Sequence, residues 1–254
     1  MFNPRNNSPF GRGGAFGSSR YQYQTVSPYG YAGTQTQASS LISKVMGLLA
    51  FSFLFAFIGT FVGFYVIHTI TAYWVVAIAG LVVLFILNFA INKPGLNLFL
   101  LYLFTFLEGM ALSPIISIYL FSGIPGYTNI LGEAFLITAV TSLGLAVYSW
   151  TTKRDFTRLG DYLFFGVLLL IVAGIVGIFF GGIFSIPLVG LFISIFGVAI
   201  FSGYVLYYVQ RARYMADTMP NAIGITVSLF ITVLNLFIYI LELLTILQGD
   251  NRRR

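Results

Sequence analysis

The sequence has no cysteine, a single histidine and very few charged residues. Without cysteine the chain cannot form a disulfide, a thiolate metal site or a cysteine nucleophile. Only 8% of its 254 residues are charged, whereas a soluble domain has about 25%. Hydrophobic residues make up 58% of the chain. This composition cannot cover a surface that faces water, so we expect the lipid bilayer to surround the chain.

Motifs for catalysis and for metal or cofactor binding are also missing. There is no HExxH pair, no glycine-rich phosphate-binding loop and no histidine cluster. Asp155, Asp161, Asp217 and Asp250 all lie outside the apolar runs, which excludes an intramembrane aspartyl protease with two paired carboxylates. The histidine, His68, lies at a predicted membrane edge, where it cannot form a buried Ser–His pair. We therefore expect no enzymatic activity, no metal and no cofactor.

The first 40 residues differ in composition from the rest. They are rich in Gly, Ser, Asn, Gln and Tyr, with three arginines and no acidic residue. They show no apolar periodicity, so the sequence predicts a disordered tail. They also lack the early apolar run of a cleaved signal peptide. The tail is either simply solvated or a handle that a partner or a protease grips.

Seven apolar runs follow, and each is close to the ~20 residues that a membrane-spanning helix needs. The short breaks between them mostly contain proline or glycine, which are typical of turns. The sequence therefore predicts an all-α membrane protein, with a seven-helix bundle at 41–248 and a short basic C-terminal tail at 249–254. The predicted spans are 45–67, 72–92, 96–120, 130–150, 162–182, 187–209 and 222–247.

The basic residues indicate the orientation of the spans. They lie before the first span and in the even-numbered breaks, whereas the odd-numbered breaks have none. The positive-inside rule then places the N-terminus and the even breaks in the cytoplasm, and it explains the net charge of +6 without a nucleic-acid partner. Seven spans put the C-terminus outside, where its three arginines oppose the rule; a re-entrant last segment is the alternative. The internal basic residues are Lys44, Lys93, Lys153, Arg154, Arg158, Arg211 and Arg213.

Small residues at four-residue spacing indicate the faces through which the helices pack, because helices in lipid associate through close backbone contact. Together they predict a compact bundle. These faces are Gly59 and Gly63 in the first span, Thr138, Ser142 and Ala146 in the fourth, Ala173, Gly177 and Gly181 in the fifth, and Ala199 and Gly203 in the sixth.

The last span carries a polar stripe. Its spacing of 4, 3, 4 and 3 residues places all five members on one face of a helix, and polar groups should not face lipid. The sequence therefore predicts that this helix lies at the centre of the bundle. The stripe either forms interhelical hydrogen bonds or lines a narrow polar path. Its members are Ser228, Thr232, Asn235, Tyr239 and Glu242.

Glu108 lies in the middle of the third span, in the stretch "LFTFLEGMALSP". A carboxylate at that depth costs from about 2.5 kcal/mol upward, so it is a functional candidate by default. We expect it to be protonated, to point into the bundle and to bond to Asn235. Its role is either structural or part of an ion path with the polar stripe. Glu133, at the start of the fourth span, is expected to be solvated.

Several stretches are similar to one family. "NKPGLNLFLLYLFTFLEGMALSPII", "WTTKRDFTRLGDYLFFGVLLLIVAGIVGIFF", "IFSGYVLYYVQ" and "ITVSLFITVLNLFIYILELL" resemble, in order and spacing, the Bax inhibitor-1 family. The "TTKRDFTRLG" loop and the "SLF…NLF" helix look closest to its bacterial YccA-like branch. The resemblance implies a seven-helix bundle with the last helix at its centre, in a bacterial inner membrane.

The resemblance also implies two functions. Some members resemble pH-sensitive calcium leaks whose sensor is an aspartate pair; the matching positions here are Tyr208 and Thr232, and neither is acidic. The YccA-like branch is implicated as substrate and modulator of the membrane-bound AAA protease FtsH. We therefore expect a non-enzymatic modulator of membrane-protein quality control or stress response, and as the alternative a leak for calcium or protons.

Overall fold

The computed structural model describes residues 31–179 and 187–251, with side chains for 40–177, 179 and 188–248. Seven of its helices are long and apolar enough to cross a membrane. Helices suit a bilayer because they satisfy their own backbone hydrogen bonds without water. This confirms the predicted all-α architecture. The helices are α1 (Tyr31–Val66), α2 (Ile70–Ala90), α3 (Leu96–Phe121), α4 (Tyr127–Thr151), α5 (Gly160–Phe179), α6 (Pro187–Arg213) and α7 (Met219–Asn251).

The described part of the chain begins within the predicted N-terminal tail. Helix α1 starts at Tyr31, so the described backbone of residues 31–40 runs into the first span. This segment contains no proline, and its alanines and glutamines are compatible with a helix. The predicted disorder of residues 1–30 lies outside the described residues. So do most of the fifth break and the last three residues of the predicted C-terminal tail.

The helix ends follow from local chemistry. Gly95 and Gly126 precede α3 and α4 with φ of +82° and +83°, a region that favours glycine. The hydroxyl of Thr69 accepts from the N–H of Ala72 at the start of α2, as an N-cap residue does. Thr218 accepts from the N–H of Asn221 at the start of α7.

Helix α7 lies at the centre of the bundle, as the sequence predicts. It packs against α1, α3, α4 and α6, and it contributes buried side chains to all four hydrophobic clusters of the core, including Ile223, Leu229, Phe230 and Leu236. Helix α3 is buried to a similar extent. The interior is therefore built around these two helices.

Helices α1 and α3 form the closest pair. A Cβ added at Gly59 would overlap the backbone of Phe106, and one added at Gly109 would overlap the backbone of Ala56. Gly63 lies against Ser113 in the same way. The small face of the first span is thus a packing face, and its partner is α3.

Helices α2 and α5 lie at the periphery. Helix α2 packs on α3, and α5 packs on α6, where a Cβ on Gly203 would overlap Leu163. Gly203 of the predicted sixth-span face therefore receives α5. Gly181 of the predicted fifth-span face lies outside the described residues.

The two ends of the bundle differ in charge. We call "basic end" the one formed by the loops 91–95, 152–156 and 214–218, and "opposite end" the one formed by the loops 67–69 and 122–126. Lys44 and Asp217 form a salt bridge of 2.9 Å at the basic end. At the opposite end, Gln248 donates to Glu133 at 2.6 Å.

Candidate functional site

The first half of the polar stripe on α7 is satisfied within its own helix. Ser228 and Thr232 donate to the carbonyl oxygens four residues before them, at 2.9 and 2.7 Å. The amide of Asn235 donates to the carbonyl of Ile231 at 2.8 Å. Hydroxyl and amide groups on helices often bond back in this way. These three donors therefore need no polar neighbour on another helix.

The second half of the stripe faces α6. The ring of Tyr239 stacks on Phe201, with the centroids 5.6 Å apart, and it covers Gly197. The carboxyl of Glu242 is half-buried and comes within 3.8 Å of where a Cβ would stand on Gly190. All five members of the stripe are buried or half-buried. This is the inward placement that the sequence predicts.

Polar groups gather around Glu242 at the opposite end. Tyr119 of α3 shares a hydrogen bond of 2.7 Å with Thr245, which follows Glu242 by three residues on α7. Glu133, at the start of α4, accepts from Gln248. The second half of the stripe thus leads to a polar rim that contains two carboxyl groups.

Glu108 is not part of this arrangement. Its Oε1 comes within 3.2 Å of where a Cβ would stand on Gly80 of α2, so the half-buried side chain lies against α2. Within the described part of the chain it has no hydrogen bond, and the expected bond to Asn235 is wrong. The reason is the close α1–α3 contact: Gly109 faces α1, which turns Glu108 toward α2, where a glycine leaves room for it.

The positions that match the aspartate pair carry an aromatic and a hydroxyl side chain. Tyr208 stacks on Tyr204 with the centroids 5.4 Å apart, and Thr232 is 3% exposed. Neither residue is acidic. Within the described residues, no group of three or more His, Asp or Glu side chains could hold a metal ion.

A cavity of about 710 Å³ opens between α1 and α4, with α7 behind it. The predicted small face of the fourth span, Thr138, Ser142 and Ala146, lines this cavity, and Ala146 also packs against a core cluster built from α1, α6 and α7. The hydroxyls of Thr138 and Ser142 bond to carbonyls of their own helix. The other lining residues are mostly apolar, so the cavity is not a polar path.

The sequence analysis missed Gln210, which is 1% exposed near the end of α6. Its side-chain oxygen accepts from the backbone N–H of Phe156, and its Nε2 donates to the carbonyl of Arg154 at 2.6 Å. One buried amide thus holds the α4–α5 loop against α6. A signal was present in the sequence, because Gln210 ends an apolar run just before Arg211.

The comparisons with known proteins agree with this architecture. The family model described as "Inhibitor of apoptosis-promoting Bax1" matches residues 38–249. An uncharacterised protein of Campylobacter jejuni is 31% identical over 223 residues, which cover 86% of this chain and 92% of that protein. The mouse protein lifeguard 4 is 29% identical over 67% of this chain and 66% of its own length. The Golgi anti-apoptotic protein of vaccinia virus is 29% identical over 64% of both chains.

Proposed function

Because the chain belongs to the Bax inhibitor-1 family, we propose that it is a non-enzymatic multi-pass membrane protein that modulates membrane-protein quality control or a stress response. The observation that carries this proposal is the polar stripe of α7. Its donors at Ser228, Thr232 and Asn235 are satisfied within the helix, so the centre of the bundle is a structural element. Two relatives are named Golgi anti-apoptotic protein and protein lifeguard 4, and neither is the name of an enzyme.

The proposed partner is a membrane-bound AAA protease of the FtsH type. Helix α1 begins at Tyr31. Residues 1–30 precede it with three arginines and no acidic residue. This composition supports a handle that a cytoplasmic partner engages.

The proposed location is a bacterial inner membrane with the N-terminus in the cytoplasm. The support is the distribution of Lys and Arg between the two ends of the bundle. Reporters that are active only inside or only outside the cell, fused to Arg254, test the orientation. A cytoplasmic signal there would contradict seven complete spans in this orientation.

The partner proposal is tested with two versions of the full chain. In one, residues 2–30 are replaced by a Gly/Ser linker of the same length; in the other, Arg5, Arg12 and Arg20 are replaced by glutamine. We expect the linker version to lose co-purification with the protease and its effect on the degradation of a model membrane substrate, with an unchanged melting temperature. If the linker version still co-purifies with the protease and still affects the degradation of the substrate, the proposal that residues 1–30 form the handle is contradicted.

The alternative is a leak for calcium or protons. Glu108 favours it, because a half-buried acid without a hydrogen bond to any described residue is costly in a membrane. Liposomes with a calcium-sensitive dye inside test it, and robust flux would reverse the ranking of the two functions. We expect no sharp switch between about pH 6 and 8 from Tyr208 and Thr232, because neither residue is acidic.

A further inference from the structure

The α4–α5 loop presents a group of cations beside the ends of three helices. Lys153, Arg154 and Arg158 are exposed. Among residues 40–177 and 188–248, a single salt bridge is found, and it joins Lys44 to Asp217. Lys153, Arg154 and Arg158 therefore form no salt bridge with these residues. Their charge therefore faces the surroundings of the bundle.

The loop is held in place. Gln210 bonds to the backbone of Arg154 and Phe156 from inside the bundle. A Cβ added at Gly160, at the start of α5, would stand 3.0 Å from the ring of Tyr207 in α6. Ser149 of α4 also donates to the carbonyl of Leu206 in α6 at 2.7 Å. The position of the cations is thus fixed by contacts with α6.

Trp150 is the penultimate residue of α4, three positions before Lys153. The guanidinium carbon of Arg213 stands 5.4 Å from the centroid of the Trp150 ring. Tryptophan is enriched at the level of lipid headgroups. Asp155 does not neutralise the group through a salt bridge, because its carboxylate accepts from the N–H and the hydroxyl of Thr157. Asp161 follows Arg158 by three residues in the sequence, and it too forms no salt bridge with the described residues.

The cations lie close to the ends of apolar spans. The spans of α4 and α6 end at Thr151 and Arg213, and the span of α5 begins at Thr157. Lys153 and Arg154 are thus within three residues of a span end, and Arg158 is the second residue of a span. Because the length of an apolar span matches the hydrocarbon thickness, we expect lipid headgroups at this level, whereas a soluble acidic protein would have to reach down to it.

We propose that Lys153, Arg154 and Arg158, held by Gln210 beside Trp150 and Arg213, bind the phosphate-bearing headgroup of an anionic phospholipid. The site is independent of the proposed function in quality control. Attraction of a cation to anionic lipid is worth about 1 kcal/mol near the surface, or about fivefold in affinity.

The chain offers its own reporter for this site. It has two tryptophans, and Trp74 lies near the start of α2, toward the opposite end. In a Trp74→Phe background, Trp150 reports on nearby lipid when the lipid chains carry bromine, which quenches its fluorescence. The full chain in nanodiscs of phosphatidylcholine is titrated with brominated phosphatidylglycerol and, separately, with brominated phosphatidylcholine.

We expect phosphatidylglycerol to quench Trp150 at a several-fold lower mole fraction than phosphatidylcholine. Replacing Lys153, Arg154 and Arg158 together with glutamine should abolish this preference, so that both lipids reach half-maximal quenching at the same mole fraction. The matched control is Lys93→Gln, which removes an exposed cation of the basic end outside this loop and should have no effect. Equal quenching by both lipids, or an equal loss in the control, would overturn the proposal.

Two further arms identify the source of the negative charge. Inorganic phosphate should weaken the lipid preference no more than chloride at the same ionic strength; a larger effect would indicate a site for a free anion and overturn the lipid assignment. Soluble polyglutamate should not bind to the protein in phosphatidylcholine nanodiscs. Binding of polyglutamate without a lipid preference would assign the surface to an acidic protein instead.

Gln210→Met tests the positioning role of the buried amide, because it removes both hydrogen bonds to the loop and leaves every cation in place. We expect Gln210→Met to have a reduced preference for phosphatidylglycerol over phosphatidylcholine. The control variant Lys93→Gln should keep the preference of the wild type. The exposed triple variant keeps the lipid proposal testable if Gln210→Met does not fold. An unchanged preference in folded Gln210→Met would contradict the role of Gln210.

Discussion

The hydroxyl of Thr60 in α1 lies 2.9 Å from the carbonyl oxygen of Gly109 in α3, and it shares its one proton between this oxygen and the carbonyl of Ala56 in its own helix at 3.0 Å. The contact between the two helices forms because their backbones approach closely at Gly59 and Gly109, where neither helix has room for a Cβ. Contacts of this kind, with glycine and a hydroxyl at the crossing point, associate helices in lipid. The α1–α3 pair should therefore respond to the addition of a single methyl group.

Gly109→Ala should destabilise the protein. The new methyl group would overlap the carbonyl of Ala56, and forcing extra atoms into a packed contact costs about 1–3 kcal/mol. The measurement is the free energy of unfolding in one detergent. Gly144→Ala is the control, because no described atom lies within 4 Å of its added Cβ. Equal losses in the two variants would contradict the close contact.

Thr60→Val should cost about 0.6 kcal/mol, the average for interhelical hydrogen bonds in a membrane protein. Valine keeps the shape of the side chain and removes the donor to Gly109. The control is Thr138→Val, because the hydroxyl of Thr138 bonds to Ala134 of its own helix. Chemical unfolding compares the two. A larger loss in Thr138→Val would show that the interhelical bond is not what stabilises this site.

The spans could be predicted from the sequence, and the partners of their faces could not. The predicted third span, 96–120, is found as Leu96–Phe121, because apolar length is set by the thickness of the bilayer. The glycine pair at Gly59 and Gly63 correctly marks a packing face. Nothing in its spacing selects α3 over the other helices, since spacing describes one helix at a time.

The same limit applies to the contacts at the candidate site. Helical spacing places Glu108 on a face of α3, but the neighbour of that face is α2, which offers Gly80. The stripe on α7 is indeed inward, yet sequence cannot tell whether Thr232 bonds to another helix or to Ser228 of its own. The loop contact of Gln210 joins residues 54 and 56 positions apart, which no local pattern reveals.

The salt bridge between Lys44 and Asp217 should contribute to the free energy of unfolding at neutral pH and lose this contribution in strong acid. The hydrogen bond from Lys44, with a second from Ser40, holds the pKa of Asp217 below its ordinary value of 3.8. The stabilisation is therefore complete above that value and is lost as the pH falls through the lower pKa of the folded state. Since both side chains are partly exposed, we expect a coupling free energy of about 0.2–1 kcal/mol.

A double-mutant cycle with Lys44→Met and Asp217→Asn measures this coupling at about pH 7 and about pH 3. The coupling should be present at the first pH and shrink at the second. Lys93→Met combined with Asp217→Asn is the control pair, because Lys93 lies in another loop. A coupling of equal size at both values of pH would mean that Asp217 remains ionised or that charge does not hold this contact.

Glu108 should couple to Gly80 and not to Asn235. A Cβ on Gly80 would stand 3.2 Å from the carboxyl oxygen, so Gly80→Ala should crowd the acid, and Glu108→Ala should relieve part of that loss. The coupling between Glu108→Ala and Asn235→Leu should stay within about 0.5 kcal/mol of zero, as for independent sites. Unfolding in detergent gives both couplings. A strong coupling to Asn235 would mean that the side chain turns toward α7 in the membrane.

Glu108→Gln then separates a packed acid from one that moves ions. Because Glu108 has no hydrogen bond to any described residue, the amide should leave the free energy of unfolding within about 0.5 kcal/mol of wild type. The calcium flux of reconstituted liposomes should also be unchanged, since the proposed regulator does not depend on conduction through this group. Glu133→Gln, at the rim of the opposite end, is the matched control for removing a carboxylate. A flux that is present in wild type and in Glu133→Gln, but abolished in a stably folded Glu108→Gln, would assign Glu108 to an ion path and favour the leak over the regulator.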